Sequence, residues 1–462
     1  MLQIPIGIRL FLKDQYRSLV VYRFLVLILT YLAYASYHLS RRSFSIVKNV
    51  LSPHCSNATD KSNVTSFTDL DCNGWSPFNR GDSETLFSFL DSIFSCYGNA
   101  TKWCPQLLSW PSILLQYPFF MVFRHFSTSI RQNFLIFFCN LYENWDFFSG
   151  LMQTTGWPAV VCCIGNWVPK SSRGVLFGFW NSHTNVGNIL GAIIAGAFVD
   201  YNWGLSFIVP GIIIAIVGFL LFLFLVPCPE DVGISSSDIH SEIRPAIGVL
   251  EFSFCLFFAK LVSYTFLFWL PFYIKYSGLF LFPLSTGDDS FSFSVFSLIV
   301  HISSSDSAYL SASFDLGGII GAIMAGYIVD RYGYSALTCV GMLTMAIPSL
   351  LCYYNFGATS NLLNILLQVI SGAFVNGPYS LITTTVSTEL GTKVKSSQAL
   401  ATVTAIIDGT GSFGAAIGPL LSGPLAVYGW KYVFLMVILS DAVAMLSLIR
   451  IAKQEFQRYR RA

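Results

Sequence analysis

Two positively charged side chains stand inside long apolar runs, where charge is rare. Arg41 follows Tyr34, Tyr37 and His38 in the first apolar run, and Lys260 lies early in a later one. A central Arg costs about 2.5–3.5 kcal/mol on insertion scales, so such charges indicate functional sites. Two opposed cations would suit a phosphate ester, which carries about −1.5 to −2 charge near neutral pH. Arg would bind it bidentately, and Lys as a point charge.

The depth of Arg41 is open at this stage. If its helix continues well past it, Arg41 lies inside the membrane; if the helix ends at residue 40, Arg41 and Arg42 reach the surface. His183 lies in another apolar run, either as a hydrogen-bonded packing residue or as a group that matches proton to anion charge. Asp408 is a further buried acid that either pairs with a cation or caps a helix end.

The elements that must position these side chains are transmembrane helices. The chain has 462 residues, of which 54% are hydrophobic and 11% are charged, against about 25% charged residues in soluble domains. Apolar runs recur near the ~20 residues that cross a bilayer, with the weakest signal in the second and third. A cleaved signal peptide is the competing interpretation of the first run. The predicted spans are 19–37, 84–98, 108–138, 142–167, 175–200, 204–227, 250–274, 309–329, 335–354, 361–384, 397–424 and 430–450.

Loop composition predicts the orientation. Lys and Arg cluster in loops that all fall on one side of a twelve-span chain, which places both termini in the cytoplasm. Two glycosylation sequons, at Asn57 and Asn63, then lie in one loop on the opposite side, where a Cys55–Cys72 bridge could persist. The polar stretch 228–249 is predicted as a cytoplasmic linker between residues 1–227 and 250–462. The net charge of +2 implies no nucleic-acid partner.

An internal repeat relates the two halves. Adding 227 to the numbers of five residues in the first half gives the same residue types in the second. Glycines four and five apart allow close helix contact, and the shared Trp and Phe argue against coincidence. Parallel duplicated halves that bind substrate near the midplane are the plan of one transporter class. The matched pairs are Gly187 and Gly414, Gly191 and Gly418, Gly196 and Gly423, Trp203 and Trp430, and Phe207 and Phe434.

Longer runs carry a family resemblance. The motif Gly326-x-x-x-Asp330-Arg331-x-Gly333 resembles the loop signature of the major facilitator superfamily, whose role is gating and packing. The chain also resembles the sugar-phosphate exchanger family, over about 19–52, 149–275 and 309–450. The runs that carry this second likeness are Tyr37–Arg42, Gln153–Pro158, Trp180–Asn188, Trp203–Gly211 and Ala259–Tyr264.

The resemblance implies an all-α membrane protein of twelve helices in two pseudo-symmetric six-helix halves. It further implies exchange of inorganic phosphate for a phosphorylated sugar or glycerol in the endoplasmic reticulum membrane. Arg41 matches the family's phosphate-contacting Arg, and His183 its span-five His. Ser263 stands where the bacterial relative has an Arg, and Lys260 one turn away is the expected substitute.

Two regions depart from the family pattern. Residues 92–141 lack the expected second and third spans and the first copy of the loop signature, and 277–308 insert a Ser/Phe-rich stretch. A faulty gene model and a lineage-specific divergence are the two alternatives for both regions. If residues 92–141 are real protein, a basic substrate contact expected on span two is absent.

These observations give a leading function and a rival. The leading function is antiport by alternating access: Arg41 and Lys260 hold phosphate, His183 tunes charge, and hydrogen bonds come from Tyr34, Tyr37, His38 and Tyr264. The rival is a membrane partner protein of the same fold without flux, and transport of another organic anion is a further alternative. No nucleophile elbow, metal cluster or phosphate-cradling glycine loop is present in the sequence, so we expect neither an enzyme nor a cofactor. The expected partners are a small anion and membrane lipid.

Overall fold

The computed structural model describes residues 19–51, 83–97, 160, 163–164, 167, 173–226, 248–277, 303–392 and 397–461. Every regular element in these ranges is helical, and seven of their helices are long and apolar enough to cross a membrane. Several predictions lie outside the described residues: the sequons at Asn57 and Asn63, the Cys55–Cys72 bridge, nearly all of the 228–249 linker, and residues 98–141.

The helical segments do not correspond one to one with the membrane spans. Ser182 interrupts one predicted span to give α3 and α4, and a π-helical turn at Ile382–Val386 joins α9 to α10. The segments are α1 (Leu19–Leu51), α2 (Ser83–Tyr97), α3 (Arg173–Asn181), α4 (His183–Asn202), α5 (Leu205–Phe224), α6 (Val249–Ser277), α7 (Ser304–Tyr332), α8 (Ser335–Phe356), α9 (Asn361–Leu381), α10 (Ser387–Thr392), α11 (Ser397–Tyr428) and α12 (Trp430–Arg461).

The first helix is longer than the predicted span 19–37. It continues to Leu51, because the polar segment around Arg41 is covered by other helices rather than by water. Arg41 is 5% exposed and Arg42 is 1% exposed, so the alternative that placed both at the membrane surface is wrong. The helix packs against α4, α5 and α6.

Other boundaries also move. Helix α6 runs to Ser277 and α7 begins at Ser304 rather than at residue 309, so residues 304–308 belong to a helix and not to the 277–308 insertion. The Ser303 side chain caps α7 by accepting a hydrogen bond from the Asp306 backbone N–H at 3.0 Å. Helix α12 extends beyond residue 450 to Arg461.

Glycines of the repeat bring α4 against α1. A Cβ added at Gly187 would collide with the Ala35 carbonyl oxygen, and one at Gly191 with the Leu39 carbonyl oxygen. The two backbones therefore touch at positions four residues apart, which only glycine permits.

The same contact recurs in the second half, where α11 lies on α6. A Cβ at Gly414 would collide with the Phe257 carbonyl oxygen, and one at Gly418 with that of Leu261. These contacts align α1 with α6 at a residue-number difference of 222. The register then pairs His38 with Lys260.

The third glycine of each repeat faces the other half of the protein. A Cβ at Gly196 would meet the Tyr309 ring of α7 at 3.0 Å, and a Cβ at Gly423 would collide with Ser88 of α2. Contacts of α4 with α7 and of α11 with α2 therefore join the halves in a pseudo-symmetric way. The repeat thus specifies both the packing within each half and the contact between halves.

Candidate functional site

Arg41 lies at the start of the last third of α1 (Leu19–Leu51), between the two halves. Its Nη1 donates a hydrogen bond to the Tyr264 hydroxyl of α6 at 3.1 Å. Its guanidinium carbon lies 5.4 Å from the Tyr37 ring centroid and 5.2 Å from that of Tyr264, within cation–π range. Among the residues that the structure describes, its buried Nη2 has no hydrogen-bond partner. A buried N–H donor left unsatisfied is costly, and here it is available to an anion.

The other buried cations in the described ranges differ from Arg41, because each has a carboxylate partner. Among these residues, Arg41 has no carboxylate within ion-pair distance. The pairs are Arg42 with Asp315 at 4.0 Å, Lys48 with Asp91, and Lys260 with Asp408.

Arg42 joins the two halves. Its guanidinium donates to the Leu267 carbonyl oxygen of α6 and to the Ser311 hydroxyl of α7 at 2.7 Å. Asp315 of α7 also accepts a hydrogen bond from Asn188 of α4 at 2.8 Å. Each of these bonds connects a first-half helix to a second-half helix.

Further polar contacts join the two halves at the end of the bundle where α1 ends and α2 begins; we call it the sequon end. Asn49 donates to the Ser307 hydroxyl at 3.0 Å, and Lys275 donates to the Asn49 carbonyl oxygen at 2.6 Å. Asp200 of α4 accepts hydrogen bonds from the Ser305 N–H and hydroxyl, the latter at 2.8 Å. The two halves are therefore in polar contact at the sequon end.

The two histidines named from the sequence come together. The ring centroids of His38 and His183 are 5.9 Å apart. The Thr184 hydroxyl lies between them, 3.4 Å from His38 Nε2 and 3.3 Å from His183 Nδ1. His183 also contacts the rings of Tyr34 at 5.2 Å and Trp180 at 4.5 Å, so the pair sits in an aromatic environment.

Tyr34 and Tyr37 belong to the same group. Their ring centroids are 6.3 Å apart, and Tyr37 lies 5.3 Å from the His38 ring. Because Tyr37 also faces Arg41, the aromatic group connects the histidines to the guanidinium. The residues predicted on α1 and α4 thus form one buried cluster.

Lys260 is buried as predicted, but it is not an uncompensated cation. Its ammonium bonds to the Asp408 carboxylate of α11 and lies 5.6 Å from the Tyr379 ring centroid. Asp408 therefore pairs with a cation, which was one of the two alternatives for it. Tyr379 also interacts with Tyr264, the hydrogen-bond partner of Arg41. Tyr379 and Tyr264 therefore connect Lys260 to Arg41.

The loop-signature motif lies at the opposite end of the bundle. Gly326 is buried, and Gly333 ends α7 in the left-handed conformation with φ of 75°, which favours glycine. The Asp330 carboxylate accepts a hydrogen bond from the Val175 N–H in the first turn of α3 at 2.6 Å, whereas Arg331 is exposed. Asp330 thus joins α7 to the first half, and the gating role of the motif stays a prediction.

Sequence reasoning missed several polar residues around the candidate site and the contacts between the halves. Asp315 carried a usable signal, a charge inside an apolar span. Lys48 lay beyond the predicted end of α1, and Asp91 lay in the weak second span. Tyr379 carried no signal, because a Tyr in an apolar helix has many ordinary roles.

Comparisons with known proteins agree with this architecture. The sequence pattern of the Major Facilitator Superfamily matches residues 118–300 and 278–458. The chain is 39% identical to glucose-6-phosphate exchanger SLC37A2 of Bos taurus and 41% identical to that of Xenopus laevis, over 94% of this chain and 94% and 93% of theirs. It is 38% identical to putative glycerol-3-phosphate transporter 5 of Arabidopsis thaliana, over 97% of this chain and 94% of the relative.

A solved structure supports the fold alone. It is a bacterial homologue of the human lysosomal transporter Spinster, in an inward-facing and unoccupied conformation. It matches with a TM-score of 0.59 at 14% identity, over 95% of this chain and 98% of that chain.

Proposed function

The chain belongs to the sugar-phosphate exchanger family of the Major Facilitator Superfamily, and on that premise we propose that it exchanges inorganic phosphate for a sugar phosphate or glycerol phosphate. Exchange occurs by alternating access, with one site between the halves serving both anions. The relatives are named for glucose 6-phosphate and glycerol 3-phosphate, and phosphate is the group those two compounds share.

The unpartnered Nη2 of Arg41 carries this proposal. A buried guanidinium without a carboxylate is unfavourable unless an anion completes it. Phosphate oxygens accept two parallel N–H bonds from Arg, and Nη1 of Arg41 is already oriented by Tyr264. The anion therefore binds at Arg41, beside Tyr37 and His38, where first-half and second-half helices meet.

The proposed roles of the remaining residues follow from their positions. Tyr34, Tyr37, His38 and Tyr264 surround the anion with hydrogen-bonding groups, and His183 adjusts the charge of the cluster. Lys260 lies on the second-half side of the site and stays paired with Asp408. The polar contacts at the sequon end hold that entrance closed during one part of the cycle, and the contact of Asp330 with α3 acts as the gate at the opposite end.

Phosphate counterflow in proteoliposomes tests the proposal. Wild-type protein takes up labelled phosphate when phosphate or glucose 6-phosphate is inside. Arg41→Ala lowers this uptake about a hundredfold, since charge-assisted hydrogen bonds contribute about 1.5–3 kcal/mol. Arg41→Lys retains part of the activity, because it keeps the charge and loses the bidentate geometry.

The matched control is Arg450→Ala. Arg450 is a surface cation of α12 with 65% of its side chain exposed, paired to Glu251, and its loss leaves uptake unchanged. Wild-type uptake in Arg41→Ala would contradict the assignment of the site. Absence of counterflow in correctly folded wild-type protein would instead favour the membrane partner without flux.

The proposed setting is the endoplasmic reticulum membrane, with both termini cytoplasmic and the sequon loop in the lumen. Expression in animal cells then yields protein whose electrophoretic mobility rises after endoglycosidase treatment. The double variant Asn57→Gln with Asn63→Gln runs at the deglycosylated position without treatment. A wild-type chain that does not respond to the enzyme would contradict this orientation of the loop.

A further inference from the structure

The pairing of Lys260 with Asp408 affects the charge that an anion meets at the site. Lys260 is 3% exposed and Asp408 is 2% exposed, and the two side chains are in direct contact between α6 and α11. Because the two opposite charges are in contact, an anion several ångströms away experiences a pair with almost no net charge. The cation contributed by the second half is therefore compensated before a substrate arrives.

Arg41 and this ion pair belong to one electrostatic environment. Lys260 lies against the Tyr379 ring at 5.6 Å, and Tyr379 interacts with Tyr264, which Arg41 contacts. Lys260 and Tyr264 are four residues apart on α6 and so lie on the same face of it, and the Tyr264 hydroxyl accepts the hydrogen bond from Arg41. An anion bound at Arg41 therefore responds to the charge at Lys260 and Asp408.

We propose that Asp408 is a charge-specificity residue: by cancelling Lys260, it lowers by one the positive charge of the site and favours anions of lower charge. Phosphate and phosphate monoesters exist as monoanions and dianions near neutral pH, so this residue selects between two forms of the same substrate. The proposal rests on the proposed function, since it takes Arg41 as the anion contact.

A purely structural role for the pair is the competing account. Buried ion pairs contribute little net stability, and breaking one is costly, so loss of activity on mutation would not separate the two accounts. Selectivity between two anions of different charge separates them, because a general loss of folding does not change a ratio.

The test uses probes of fixed charge. Monofluorophosphate is a dianion and hypophosphite a monoanion across the neutral range. Each competes with labelled phosphate in the counterflow assay, and the ratio of their half-inhibiting concentrations is compared among variants. One unit charge several ångströms away, at an effective dielectric constant of about 20, changes this ratio by about tenfold or more.

Asp408→Asn leaves Lys260 uncompensated and shifts the ratio toward monofluorophosphate by about tenfold. Lys260→Gln removes the cation and shifts it toward hypophosphite. The double variant restores the wild-type charge, so its ratio returns to within about threefold of wild type. Asp408→Glu keeps the charge and is the conservative control with a wild-type ratio.

Unchanged ratios in both single variants, with flux reduced, would overturn the proposal and leave a structural pair. If one single variant fails to fold, the predicted shift of the ratio in the other variant still distinguishes charge selection from a structural pair. If wild-type protein shows no counterflow, the proposed function fails, independently of the proposal for Asp408. Thermal stabilisation of the purified protein by the same two probes then measures the ratio by binding alone.

Discussion

The packing of α4 on α1 and that of α11 on α6 use the same glycine contacts but carry different side chains. At the register that pairs Ala35 with Phe257, His38 matches Lys260 and Arg41 matches Ser263. Lys260 has Asp408 as a partner within its own half. Arg41 has no carboxylate among the described residues.

The comparison separates what the fold needs from what the site needs. The glycine contacts are equivalent in both halves, because both bundles require close backbones. The charges are not equivalent: an ion pair occupies the second-half position, and the first half holds a guanidinium with an unpartnered Nη2. The asymmetry at these matched positions is therefore the part of the repeat that concerns the ligand.

The largest expected effect tests the equivalence of the glycine contacts. Gly187→Leu and Gly414→Leu each place a side chain against a backbone carbonyl that cannot move without its helix. Both variants lose the monodisperse peak in size-exclusion chromatography after detergent extraction. Gly341→Leu is the control, since nothing lies within 4 Å of a Cβ added there. If Gly414→Leu folds and Gly187→Leu does not, the glycine contacts of the two halves are not equivalent.

A smaller effect concerns the register pair His38 and Lys260. Lys260→Ala leaves Asp408 buried without its cation, which costs about 3–5 kcal/mol. His38→Ala removes one hydrogen-bonding ring and costs about 1–2 kcal/mol. Thermal unfolding of the purified variants without added anion measures both. Equal losses would mean that the ion pair does not distinguish the second half.

The smallest expected effect concerns the contacts between halves. A methyl at Gly423 meets the backbone and side chain of α2, whereas the atoms nearest to one at Gly196 belong to the Tyr309 and Ala308 side chains, at 3.0 and 3.2 Å. We expect Gly423→Ala to slow phosphate exchange about tenfold and Gly196→Ala about threefold or less. The reverse order in the counterflow assay would contradict the idea that side chains yield more easily than backbone at these contacts.

Prediction from sequence succeeded where a pattern is repeated or long. The apolar runs and the repeated glycines led to the helical transporter plan, and charge in an apolar run led to two side chains that are buried in the structure, Arg41 and Lys260. Their roles toward a ligand stay predictions. It left two alternatives open where local polarity resembles a helix end: α1 could stop near Arg41 or continue past it, and in the structure it continues to Leu51. The covering helices that permit this are distant in sequence.

The sequence by itself determined that the chain is a duplicated bundle of membrane helices with rare buried charges, because hydrophobicity and glycine spacing are properties of each segment alone. Only the tertiary structure decided which charge has a partner. Lys260 and Asp408 lie on helices far apart in the chain, and their contact depends on how α11 packs on α6. Whether Arg41 retains an unpartnered donor is likewise a property of every helix around it.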